Sequence, residues 1–124
     1  MLNVFIYGSL KKGQTNHYVI KNKLKFICKI KSKEKYALID LGEYPGLIKI
    51  PKYQIEGELY QISPDQIKML DDFEREGELY ERETILLSNN ASALTYFYKI
   101  NLAANPQIIT MNDPVWKKSD KINF

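Results

Sequence analysis

Residues 54–66, QIEGELYQISPDQ, run one kind of secondary structure directly into another. Gln54 to Ile62 alternates apolar and polar residues, the period of a half-buried strand, with Gly57 marking a bulge or a close approach of backbone. Ser63-Pro64-Asp65-Gln66 then supplies a capping hydroxyl, a proline at the first helical position and an acid in the first turn. Ile67, Leu70 and Phe73 continue as an apolar stripe that predicts a helix to about Glu74. Such a junction points to a domain that mixes strands with at least one helix.

The remaining segments are strand-like. Leu2 to Ile6 is short and apolar enough to be covered on both faces. Leu24 to Lys31 places Leu24, Phe26, Cys28 and Ile30 on one face and Lys25, Ile27, Lys29 and Lys31 on the other, where lysines are solvated. Tyr36–Ile39, Leu47–Ile50 (ended by Pro51), Leu79–Leu87 and Leu94–Ile100 complete the set, with turns at Gly42–Gly46 and Asn89-Asn90. Asn16 is placed to cap a short helix through Lys21. The pattern predicts one α+β domain over residues 1–124: a small, partly closed, mostly antiparallel β-barrel flanked by short helices. Residues 101–124 read as a polar tail that could serve as a lid, with Trp116 as its anchor.

Composition narrows the chemistry. A net charge of +3 and a pI near 8.8 fall short of a nucleic-acid footprint, and no segment approaches the roughly 20 apolar residues of a membrane span. Nor does the N-terminus resemble a secretory signal, so the expected compartment is the reducing cytoplasm. Cys28 is the only cysteine and His17 the only histidine, which excludes an internal disulfide, a thiolate cage and any scheme that needs two histidines. No metal or cofactor is expected. Ser9 has no histidine–carboxylate pair around it, and Lys11 and Lys12 read as solvated, with at most a steering role for an anionic substrate.

Carboxylates remain. Residues 70–83, LDDFEREGELYERE, carry seven of them, and for any one the ordinary reading is a solvated surface charge. Glu74 differs, because it leaves the helix beside the apolar stripe, where partial desolvation raises a carboxyl pKa towards neutrality. Asp71 and Asp72 are expected on the wetter side. The other candidate is YGSL, Tyr7 to Leu10: a strand exit where Gly8 admits a ligand to the main chain and successive N–H groups can cradle an anion or oxyanion. A plain tight turn fits the same residues.

Together YGSLKKGQTN, EYPGLI, IEGELY, LDDFE and LYERE, in that order from Val4 to about Tyr98, resemble the gamma-glutamylcyclotransferase-like superfamily. The similarity is nearest to its gamma-glutamylamine cyclotransferase and avirulence-induced-gene-like branch. The resemblance implies a small β-barrel and a cofactor-free reaction. In it the α-amino group of a γ-glutamyl moiety attacks its own γ-carbonyl, giving 5-oxoproline and a free amine. It implies Glu74 as the acid/base, Tyr7, Gly8, Ser9 and Leu10 as the substrate-binding loop, and Tyr80 and Tyr98 as aromatic pocket residues. Tyr44-Pro45 reads as a turn pair that could rim the pocket. The leaving amine stays open between an isopeptide lysine, an amino acid, glutathione and a biosynthetic intermediate. The partner implied is a small γ-glutamyl substrate, with neither nucleic acid nor membrane. A non-catalytic module that binds a small acidic metabolite or a protein tail is the alternative use of such a fold.

Overall fold

In a computed structural model the described residues are 1–117. Seven strands are present: β1 (Leu2–Ile6), β2 (Lys25–Lys31), β3 (Tyr36–Asp40), β4 (Pro45–Tyr53), β5 (Glu56–Ile62), β6 (Tyr80–Leu86) and β7 (Ser92–Tyr98). One α-helix, α1 (Pro64–Glu74), lies between β5 and β6, and a 3-10 turn spans His17–Val19. Five strands form a sheet in the order β2-β5-β1-β7-β6, antiparallel except where β1 meets β7, while β3 and β4 form a separate hairpin.

The central strand explains the architecture. Val4 and Ile6 of β1 point to one side, where they pack with Leu70 of α1, Tyr60, Ile62 and Tyr96. Phe5 and Tyr7 point to the other, against Leu38 and Leu47 of the hairpin and Trp116. The sheet is therefore the middle layer between helix and hairpin, and both faces of β1 are covered.

Local chemistry accounts for each junction. Ser63 and Gln66 form a reciprocal capping box, the Gln66 N–H donating to Ser63 Oγ and the Ser63 N–H to Gln66 Oε1. Gly57 is a close approach: a Cβ there would lie 2.5 Å from the Phe5 ring and 2.6 Å from the Ile6 carbonyl oxygen. Of the two readings of Gly57, the close approach holds; the neighbouring β2 carries a register shift between Phe26 and Cys28.

Several expectations are corrected. The sheet is not closed into a barrel: just beyond the ends of its edge strands, β2 and β6, the chain is joined by an isolated Ser32–Leu87 bridge. Pro51 does not end its strand, because the register jumps between Ala37–Ile48 and Tyr36–Tyr53, so the proline sits in residues that β3 does not pair. Asn16 makes no side-chain cap; its amide donates to Ser9 Oγ at 3.0 Å. Phe73 is 36% exposed and not part of the buried stripe, since α1 turns left-handed just beyond it, at Arg75 (φ 53°). Lys11 is buried, and its ammonium donates to the Trp116 carbonyl at 2.8 Å.

Of the tail, residues 101–117 are described. They cross the hairpin side, where the Met111 N–H donates to Leu38 and the Pro114 carbonyl accepts from Glu56, and Trp116 is buried in the core as its anchor. Residues 118–124, the remainder of the expected lid, lie outside the described residues. No described helix is long and apolar enough to cross a membrane.

Candidate active site

The end of β1, the end of α1 and the start of β4 converge on one cleft. Strand β1 stops at Ile6 and the chain bends through Tyr7-Gly8-Ser9-Leu10, held by Lys11 N–H to the Gly8 carbonyl (3.1 Å) and Asn16 N–H to the Ser9 carbonyl (3.0 Å). Gly8 packs tightly against the hairpin: a Cβ would meet Pro45 Cδ at 3.0 Å. Among the described residues, the N–H groups of Gly8, Ser9 and Leu10 donate to no protein acceptor. Such a run of free donors suits an anionic oxygen.

Opposite the loop stands Glu74, the last residue of α1. Its carboxyl lines the cleft together with Tyr7, Ser9, Tyr44, Pro45, Tyr80 and Tyr96. Desolvation raises its pKa to about 7. No hydrogen-bond or ion-pair partner of this carboxyl is found among the described residues, although its helix neighbour Asp71 has two. Asp71 accepts from the Tyr96 hydroxyl at 2.7 Å and pairs with Arg82, so it is tied into the wall and not simply wetted as expected.

Tyrosines fix the shape of the walls. The Tyr7 hydroxyl donates to the Tyr96 carbonyl and the Tyr80 hydroxyl to the Pro45 carbonyl, each at 2.6 Å. Burial is the main cause that raises the phenol pKa values of Tyr7, Tyr80 and Tyr96; after it come the hydrogen-bonded Asp71 carboxylate at Tyr96, the Glu74 carboxylate at Tyr80 and the Tyr80 phenol at Tyr7, so all three stay neutral donors. Tyr98 stands elsewhere: it packs edge-on behind Tyr80 at 5.8 Å and faces a separate groove with Ile48 and Phe97. Thus six of the seven residues singled out in the sequence gather at one cleft, and Tyr98 supports it from behind. Among the described residues no group of three His, Cys, Asp or Glu side chains is placed to hold a metal ion.

A family model described as "Gamma-glutamyl cyclotransferase, AIG2-like" matches residues 4–118. The chain belongs to this family. Its relatives include the gamma-glutamylaminecyclotransferase A of Danio rerio, 34% identical over an alignment of 94 residues that covers 69% of this chain and 58% of that protein. Human gamma-glutamylaminecyclotransferase is 36% identical over 93 residues, 68% of this chain and 61% of that protein. The matched region thus spans about three fifths of either relative. A crystal structure of an AIG2-like protein from Mus musculus shares the fold, with a TM-score of 0.80 at 23% identity, covering 94% of this chain and 88% of that one.

Several residues that line or brace the cleft escaped sequence reading. Tyr96 and Arg82 face each other across the β6–β7 ladder and reach Asp71 on the helix, a meeting that needs the tertiary fold. Glu58, which is 5% exposed, accepts from the Lys12 N–H at 3.0 Å and the Tyr60 hydroxyl at 2.8 Å, pinning the loop to β5. Its place inside IEGELY was the one available signal, because the alternation there does not by itself tell a buried acid from a solvated one.

Proposed function

We propose that the protein cyclises a γ-glutamyl group to 5-oxoproline and releases the amine bound to its γ-carbonyl. The observation that carries this reading is the unpaired Glu74 carboxyl, raised to about 7, facing the free N–H donors of the loop. A carboxyl near neutrality can both accept and return a proton at working pH.

The neutral α-amine attacks the γ-carbonyl carbon, forming the C–N bond of a five-membered ring and moving the carbonyl electron pair onto oxygen. N–H groups of Gly8 to Leu10 hold the substrate's oxygens, the developing oxyanion or the α-carboxylate. Glu74 takes the proton that the attacking nitrogen loses. As the oxyanion collapses, the bond to the departing nitrogen breaks and Glu74 delivers that proton to it. Every atom of substrate ends in 5-oxoproline or the free amine. Because both reacting groups belong to one glutamyl chain, the cleft's main task is to hold it folded for attack, an effect able to supply about 7–11 kcal/mol. The family membership supports this reaction class, as do the names of the relatives from Danio rerio and human.

The test is release of 5-oxoproline, with equimolar amine, from a panel of γ-glutamyl amines and γ-glutamyl amino acids. The wild-type chain releases both from at least one of them, and Glu74→Gln lowers the rate at least about a hundredfold while keeping the fold. Equal rates in the two proteins would remove Glu74 from the mechanism.

A further inference from the structure

Outside the Glu74 cleft lies a second compartment of about 280 Å³ that shares Ser9, Tyr44, Glu74 and Tyr80 with it and adds Asn16, Phe73, Arg75 and Leu79. Two of its walls are aromatic side chains left open to solvent, Tyr44 at 39% and Phe73 at 36%. Leu79 gives it a further apolar surface. Such exposed apolar surface beside a reactive carboxylate is where a ligand gains binding energy.

Its charge is one-sided. Arg75 is the one cationic residue lining it among the described residues, and apart from Glu74 it has no acidic one. The helix ends at Arg75 with left-handed backbone (φ 53°, ψ 52°), the N–H donating back to the Asp71 and Asp72 carbonyls, so consecutive side chains diverge: Glu74 lines the inner cleft and Arg75 only the outer space. One guanidinium nitrogen sits 3.4 Å from Glu78, in a pair whose side chains are both more than half exposed. A pair that open and long contributes little and yields to a better-aligned carboxylate.

We infer that this outer compartment receives the departing amine, and selects an amino acid whose apolar or aromatic side chain lies on Phe73, Tyr44 and Leu79 while its carboxylate pairs with Arg75. The inference rests on the cyclisation reading above, which puts the glutamyl group against the loop and the breaking bond at Glu74. The outer compartment adjoins the inner cleft through Ser9, Tyr44, Glu74 and Tyr80, and in this reading the rest of the substrate extends into it, towards Arg75. A leaving group that ends in a cation would find no counter-charge there beyond Glu74, which is engaged in proton transfer.

Three substrates separate the possibilities: γ-glutamyl-phenylalanine, its carboxylate-free analogue γ-glutamyl-phenethylamine, and γ-glutamyl-cadaverine, whose leaving diamine ends in a cation and has no carboxylate. The expected result is a kcat/KM for γ-glutamyl-phenylalanine at least about tenfold above the other two, the worth of one charge-assisted contact. Arg75→Gln collapses the phenylalanine-to-phenethylamine ratio towards one, and Arg75→Lys keeps part of it. Equal turnover of the phenylalanine and phenethylamine compounds by the wild-type chain overturns the carboxylate subsite while leaving the cyclisation standing. So does a preference for γ-glutamyl-cadaverine, or a ratio unmoved by Arg75→Gln. No 5-oxoproline from any γ-glutamyl compound overturns both.

Discussion

Glu74 carries a cost that can be measured without any substrate. Its folded pKa of about 7 lies above the ordinary 4.5, so the folded chain binds this proton more tightly than the unfolded chain. Stability from this group is therefore whole below pH 4.5 and is lost as pH rises to about 7, by about 3 kcal/mol in full. Glu74→Gln removes the loss. Thermal unfolding should show the variant more stable than the wild-type chain at pH 8, with the gap closing as pH falls towards 4.5; a gap constant in pH would mean that the carboxyl is not desolvated. Glu74 was legible because helix end and apolar stripe are both local. Asp71 was not, since the Tyr96 hydroxyl and Arg82 that hold it come from distant strands.

Elements position this residue, and their signals were of unequal strength. The capping box at Ser63 and Gln66 sets where α1 begins, and hence where Glu74 ends it. Ser63→Ala should cost about 1 kcal/mol in denaturant unfolding, the usual worth of such a cap. Gly57 does a different task, letting β5 lie against Phe5 and Ile6. Gly57→Ala forces the Ile6 carbonyl to move, and the expected loss is about 1–3 kcal/mol, read as a lower urea midpoint with unchanged slope. An unchanged midpoint would show that β1 has room to shift. Strands were readable because alternation is a short-range pattern. The passage of β4 through Pro51 was not, because a proline looks like a stop unless the residues around it are known to be unpaired.

At the scale of the whole molecule, the sheet order and the path of residues 101–117 decide how the cleft is braced. Neither follows from periodicity: alternation says that strands exist and not which are neighbours, so it could not give the five-strand order or set the β3–β4 hairpin apart from the sheet. The buried Lys11 ammonium links the substrate-side loop to the Trp116 carbonyl across 105 positions of sequence. Lys11→Met keeps the length of the side chain and removes both a desolvated charge and that link, so global stability should move by less than about 1 kcal/mol. The loop should loosen nonetheless, with faster hydrogen exchange at the Asn16 amide, which donates to Ser9, and a higher KM for any γ-glutamyl substrate. Unchanged exchange and KM would show that the loop holds itself.

The most direct test of the account is the pH dependence of 5-oxoproline formation. Glu74 accepts a proton only when ionised, so kcat/KM should fall as pH drops through about 7, by a further factor of about ten per unit beyond the limb set by the substrate's own amine. A profile that shows the amine's limb alone, with no extra loss below pH 7, would contradict the assignment of Glu74 as the group that moves the proton.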